Sequence, residues 1–164
     1  MREYFDALYE AAERYRSLGA STPVVGEPWT GQPRKVSEIY AECFPPDWRR
    51  RCLGLLYRAY DAVDAEDLET EMRIRLFLDG FEYLDHTAGC YETLAAWQAE
   101  QTDADLAVHR EAMAAREAHV SAIQQRDRSR GGELPPAFNA SQEVLLRGPR
   151  DIYAELYAPL EAGG

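Results

Sequence analysis

The sequence predicts an all-α protein: a helical bundle of about four main helices, with one long central helix and a short C-terminal arm. Three observations carry this. From Asp67 to Gln101, residues Thr70, Ile74, Phe77, Phe81, Leu84, Ala88, Tyr91 and Ala95 recur at alternating steps of four and three, which keeps one apolar stripe on one side of a helix. Met72, Leu76, Leu78, Tyr83, Leu94 and Trp97 widen that stripe beyond what a two-stranded seam needs, as the centre of a bundle requires. No strand pattern and no internal repeat appears, and 164 residues at 46% hydrophobic suffice for one domain with a core.

The first helix is expected over residues 2–18, with Phe5, Leu8, Ala12 and Tyr15 as its stripe, Tyr4 and Tyr9 beside it, and Gly19 as its stop. No Ser, Thr, Asp or Asn precedes it as a cap, which fits a domain cut from a longer protein as well as a frayed natural terminus. Residues 20–33 hold three prolines and two glycines and read as a long loop carrying Trp29. A short helix follows from Lys35 to Phe44, closed by Pro45 and Pro46. Asp47 is expected to cap the next helix, 47–63, whose stripe is Trp48, Cys52, Leu55, Ala59 and Val63. The central helix, 67–100, would be roughly 50 Å long at ~1.5 Å per residue. Asp103 is expected to cap a helix over 104–126 with a weaker face of Leu106, Met113, Val120 and Ile123 among many alanines. These four helices are expected to pack around Phe77, Phe81, Leu84, Leu55 and Leu8.

The domain organisation follows: a bundle over 1–127, a linker or irregular segment over 128–149, and a short helix with a tail over 150–164. Within the linker, Ser141 to Leu146 reads as helical or extended, broken by Gly148-Pro149. The arm presents Ile152, Tyr153, Leu156 and Tyr157. A helix this short is marginal alone and must dock, on the bundle's own groove or on another copy or domain.

Charge narrows the function classes. With 29 acidic residues against 18 basic and a formal net charge of −11, the chain repels phosphate backbones and anionic lipid, so nucleic acid and membrane surfaces are poor partners. The N-terminal helix lacks the apolar run of a signal peptide, and no stretch reaches the ~20 apolar residues of a spanning helix. A cytoplasmic location is expected. Lys35 is the only lysine among the basic residues, which, with the high alanine content, matches the coding bias of a GC-rich bacterium.

Chemistry-bearing residues form no recognisable constellation. Cys43, Cys52 and Cys90 are odd in number and widely spaced, and read as buried free thiols. Glu66, Asp67, Glu69 and Glu71 complement the positive end of a helix dipole. Glu82 and Asp85 stand near one face without identifiable partners. Glu82 and His86 lie four apart where a di-iron bundle repeats Glu-x-x-His, and His109 and His119 lie ten apart without ligand spacing, so no metal is expected. His86 reads as a hydrogen-bonded, partly buried histidine. No nucleophile elbow, phosphate loop or CxxC occurs, and neither a catalytic residue nor a cofactor is implied. Gly80 and Gly89 inside the central helix are read as permitting close contact or a bend. The residues expected at a contact surface are Tyr4, Tyr9 and Trp29, with Trp29 either an exposed contact or, preferred for so bulky a ring, a plug that pins its loop.

The stretch CFPPDWRRRCLGLLYRAYDAVDAEDLETEMRIRLFLDGFEYLDHTAGCYE carries a Pro-led helix with Leu55, Leu56, Ala59 and Ala62, and then an acidic turn from Asp64 to Asp67. Arg73, Arg75 and Phe77 follow, and then a Gly80, Phe81, Tyr83 step. It resembles the helical C-terminal region that follows the catalytic barrel in a family of bacterial glycoside-hydrolase-like proteins, a domain of unknown function. The leading MREYFDALYEAAERY is similar to the Tyr-rich helix entering that region, so the resemblance covers roughly Met1 to Trp97. It implies a non-catalytic accessory domain of a carbohydrate-active protein, packing on a barrel whose carboxylates have no match here. Direct carbohydrate contact has no support in these residues. The alternative is a free-standing helical bundle acting through protein–protein contact or homodimerisation. An orphan enzyme with a site in the bundle core is the least favoured reading.

Overall fold

A computed structural model of the chain describes residues 1–18, 35–129, 142–148 and 151–162. Among these residues the fold is all-α, without strands. Its helices are α1 (Arg2–Ser17), α2 (Val36–Cys43), α3 (Pro46–Asp61), α4 (Leu68–Glu100), α5 (Asp103–Ser129), α6 (Gln142–Arg147) and α7 (Ala154–Glu161). The predicted stop at Gly19, the loop over 20–33 with Trp29, and most of the predicted linker over 128–149 lie outside the described residues. The chain divides into two compact units, Met1–Phe81 and Glu82–Gly164, with the boundary inside α4 rather than at the predicted linker.

The helix ends follow local chemistry. Pro45 occupies the cap position of α3 and Pro46 its first turn, where a missing N–H costs nothing. Asp47 is therefore not the expected cap but a first-turn acid paired with Arg50. Asp67 caps α4, its Oδ1 accepting the Thr70 N–H at 3.1 Å, and those bonds hold its carboxyl below the usual range. At α5 the cap is Thr102 rather than Asp103: the Asp105 N–H donates to Thr102 Oγ1 at 3.1 Å, and the hydroxyl donates back to the Asp105 carboxylate. Gln101, with φ 52°, closes α4, its N–H donating to the Trp97 carbonyl at 2.7 Å, so α4 and α5 meet across a two-residue corner. Gly148 ends α6 at φ 76°, and a Cβ there would lie 2.6 Å from Ile152 Cγ1, so only glycine fits.

The core of the N-terminal unit is a chain of aromatic rings. Tyr40 meets Phe44, Phe44 meets Trp48, Trp48 meets Phe81, Phe81 meets Tyr4, Tyr4 meets Phe77, and Phe77 meets Phe5, with centroid separations of 5.5–6.0 Å throughout. Trp48 Nε1 donates to the Ala7 carbonyl at 3.0 Å inside this core. Cys43, Cys52, Leu56, Ile74 and Leu78 fill the space around the rings. The α1 stripe is corrected by one residue, about 100° of rotation. Tyr4, Ala7 and Ala11 are buried, while Phe5, Ala12 and Tyr15 are exposed, because the two alanines let Trp48 reach the helix backbone. The expected core changes accordingly: Phe81 is buried, Leu8, Leu55 and Leu84 are half-buried, and Phe77 is 36% exposed.

In the C-terminal unit, Ala88, Cys90, Tyr91 and Leu94 of α4 and Met113, Val120 and Ile123 of α5 are buried. Tyr153, Leu156 and Tyr157 are buried with them, so the C-terminal arm docks within its own unit. Gly89 does not serve close packing: a Cβ built there meets nothing within 4 Å. Gly89→Ala is therefore expected to stabilise the protein by about 0.5–1 kcal/mol, since alanine relieves the entropy that glycine loses in a helix. The urea midpoint of the variant checks this.

Candidate functional site

Three kinds of group can carry function here: aromatic side chains left at the surface, polar side chains drawn into the core, and thiols. The first lie on α1 and α4. Phe5 is 48% exposed and meets half-exposed Phe77 edge to face at 5.7 Å, at the outer end of the aromatic chain. Tyr9, one turn beyond Phe5, is 61% exposed under the Arg16 guanidinium. Of the residues expected at a contact surface, Tyr9 is thus at the surface. Tyr4 is in the core, where burial pushes its hydroxyl up to about 12, and it offers no contact face. Trp29 lies outside the described residues. Phe5 and Phe77 take the position that was expected of Tyr4. A separate surface groove of about 360 Å³ is lined by Glu3, Asp6 and Glu10 of α1 and Arg51, Leu55 and Arg58 of α3. Glu10 pairs with Arg51 across it.

The polar core belongs to α5. Residues 106, 109, 113, 116, 120 and 123 keep heptad spacing, and at two of them the buried side chain is polar: His109 and Arg116, both wholly removed from solvent. The Arg116 guanidinium has its full set of N–H donors matched. Nε donates to Thr87 Oγ1 at 2.9 Å. Nη1 donates to the Leu146 carbonyl at 2.8 Å and reaches the Tyr157 hydroxyl at 3.5 Å. Nη2 donates to the Tyr83 hydroxyl at 3.1 Å and the Leu145 carbonyl at 3.2 Å. Tyr83 in turn donates to the Leu145 carbonyl, and Thr87 to the Tyr83 carbonyl at 2.8 Å. The Tyr83 and Tyr153 rings lie 5.2 and 4.6 Å from the guanidinium carbon. Among the described residues every group to which Arg116 donates is neutral. Burial raises the hydroxyls of Tyr83 and Tyr157, so both stay protonated. Arg116 thereby clamps the last carbonyls of α6, the negative end of that helix, onto α4 and α5.

His109 ties down α7 in the same way. Its Nε2 lies 2.8 Å from the Leu156 carbonyl, which can only accept, so Nε2 carries the proton. Nδ1 lies 2.9 Å from Thr93 Oγ1, whose hydroxyl donates to the Cys90 carbonyl at 3.0 Å. Sequence reading assigned His109 no role. The signal that could have found it and Arg116 was their place in the α5 heptad.

A third cluster joins residues that sequence spacing kept apart. His86 of α4 and His119 of α5 face each other with ring centroids 5.1 Å apart, and His119 Nδ1 lies 3.7 Å from Glu82 Oε2. Among the described residues no three His, Cys, Asp or Glu side chains are arranged to hold a metal ion. In the acidic run, Asp67 caps α4, Glu69 pairs with Arg73, and Glu71 accepts from the Tyr60 hydroxyl at 2.8 Å, so these acids serve the start of the helix.

No protein-family model matches the chain, and no curated protein or solved structure matches it. Among the described residues no helix is long and apolar enough to cross a membrane.

Two outcomes are expected. Arg116→Met leaves Thr87 Oγ1 and the Leu146 carbonyl without the Arg116 donor, and the Leu145 carbonyl with the Tyr83 hydroxyl alone, at about 1–3 kcal/mol for each orphaned group. Arg116→Lys rescues little, because an ammonium lacks the fork. Urea unfolding of both variants measures the loss, and a Met variant as stable as the wild type would show that the clamp contributes nothing. The thiols should be inert: burial pushes Cys52 and Cys90 up to about 11 and raises Cys43 as well, so little of the reactive thiolate exists at pH 8. Iodoacetamide should alkylate all three only in denaturant, as mass spectrometry would show.

Proposed function

We propose that the chain is a non-catalytic helical contact domain whose N-terminal unit packs, through Phe5, Tyr9 and Phe77, on the catalytic barrel of a carbohydrate-active protein. The observation that carries the contact reading is the Phe5–Phe77 pair, two rings in edge-to-face contact and left at the surface. Aromatic anchors of this kind supply most of the energy of a protein interface, and an uncovered apolar cluster marks such an interface. The barrel as occupant is supported by the resemblance of residues 1–97 alone. The non-catalytic part of the reading is supported by the polar core, whose donors and acceptors are used up in binding one another, and by thiols kept protonated.

Sedimentation of the full chain, with and without a glycoside-hydrolase-like barrel encoded in the same or an adjoining gene, tests this. The expected result is a monomer that enters a one-to-one complex with the barrel. Phe5→Asp should weaken that complex roughly tenfold or more, while lowering the melting temperature less than Phe81→Ala does, because about half of the Phe5 side chain is exposed and Phe81 is buried. A concentration-dependent dimer that Phe5→Asp dissociates would assign the face to a second copy of the chain instead. A monomer that binds no barrel would remove the reading.

A further inference from the structure

The geometry of the C-terminal unit points to a function for an ionisable pair that the contact reading leaves unused. We propose that His86, set against His119, forms an acid-operated latch: when the His86 ring takes up a proton, α4 and α5 separate at that level, and α6 and α7 are released from the Arg116 clamp.

The placement carries the argument. His86 and His119 come from different helices, are half-buried, and stand ring to ring at 5.1 Å. His86 is three residues beyond Tyr83 on α4, and His119 three beyond Arg116 on α5, so the pair sits one turn from the clamp on each helix. Arg116 is shared between those helices: it bonds Thr87 and Tyr83 of α4 and holds the α6 carbonyls of Leu145 and Leu146 at 2.8–3.2 Å. Any widening between α4 and α5 at this level pulls on the bonds that retain α6, a helix too short to persist alone.

The surrounding charges decide the direction. Among the described residues, Glu82 and Asp85 on α4 favour a proton on His86, while His119 and Arg116 on α5 oppose it. His119 Nδ1 stands 3.7 Å from Glu82 Oε2, and a proton on His86 faces the His119 ring with centroids 5.1 Å apart. Burial, followed by His119, sets the balance and lowers His86 below its ordinary 6.5. The closed form therefore binds fewer protons than the open one. Its advantage is complete above about pH 6.5 and is lost as pH falls through the lowered His86 value. Further along α5, Glu117 acts on Cys90 and Tyr157, and the third histidine, His109, faces the neutral Leu156 carbonyl and Thr93 hydroxyl.

Two measurements on the full chain test the latch. Histidine ring-proton titration by NMR should give His86 a midpoint below 6.5. Amide exchange, corrected for the intrinsic pH dependence, should show residues 142–147 and 154–161 losing protection several-fold between pH 7.5 and 5.5, as the open form takes up the His86 proton that the closed form resists. His86→Gln should abolish that loss. His119→Gln should shrink that loss, because without the opposing ring the closed form accepts a proton on His86 more readily. The latch is overturned by a His86 midpoint at or above 6.5, by exchange in α6 and α7 that ignores pH, by an acid response that persists in His86→Gln, or by one equally large in α1–α3. If His86→Gln fails to fold, the wild-type titration and exchange pattern decide the question.

Discussion

A guanidinium with no access to water must find acceptors for every N–H, and the C-terminal unit is organised around meeting that demand at Arg116. The acceptors come from three helices: Thr87 and Tyr83 on α4, the last carbonyls of α6, and Tyr157 on α7. The charge thus acts as a common anchor beside the apolar contact in which Met113, Val120 and Ile123 of α5 and Tyr153, Leu156 and Tyr157 of the arm are buried. The His109 bond to the Leu156 carbonyl extends the same device to α7.

The N-terminal unit is built on the opposite principle. Its centre is ring on ring from α2 through α3 and α4 to α1, with Trp48 Nε1 satisfied by a helix carbonyl and the thiols used as small apolar fillers. Because the chain of rings ends at Phe5 and Phe77, the packing that holds this unit together runs directly to the surface. Core and exposed rings are one aromatic system, so covering Phe5 and Phe77 would be felt at Tyr4 and Phe81 through direct ring contact.

Helix existence and type were legible in the sequence because the apolar spacing is local and sustained. The expected spans 2–18, 47–63, 67–100 and 104–126 correspond to α1, α3, α4 and α5 to within a few residues. Ends were less legible where two capping residues compete. Thr102 displaced Asp103 because its hydroxyl reaches the free Asp105 N–H, whereas Pro45 holds the cap position of α3 by its extended backbone, without a side-chain cap bond. The face of α1 was misjudged because periodicity ranks side chains by size, and the packing selected the alanines that allow close approach.

What the sequence by itself determined is the all-α class, the long central helix, the short C-terminal helix and the buried state of the three cysteines, since each follows from composition and spacing along one segment. Tertiary structure alone decided where the chain divides, that Tyr4 turns inward while Phe5 and Phe77 stay outside, that His86 meets His119 across two helices, and that Arg116 and His109 are core residues. The physical reason is the same in each case. A polar side chain at an apolar heptad position reads as a break in the stripe until the acceptors that satisfy it are brought together, and here those acceptors lie 29 to 47 residues away along the chain.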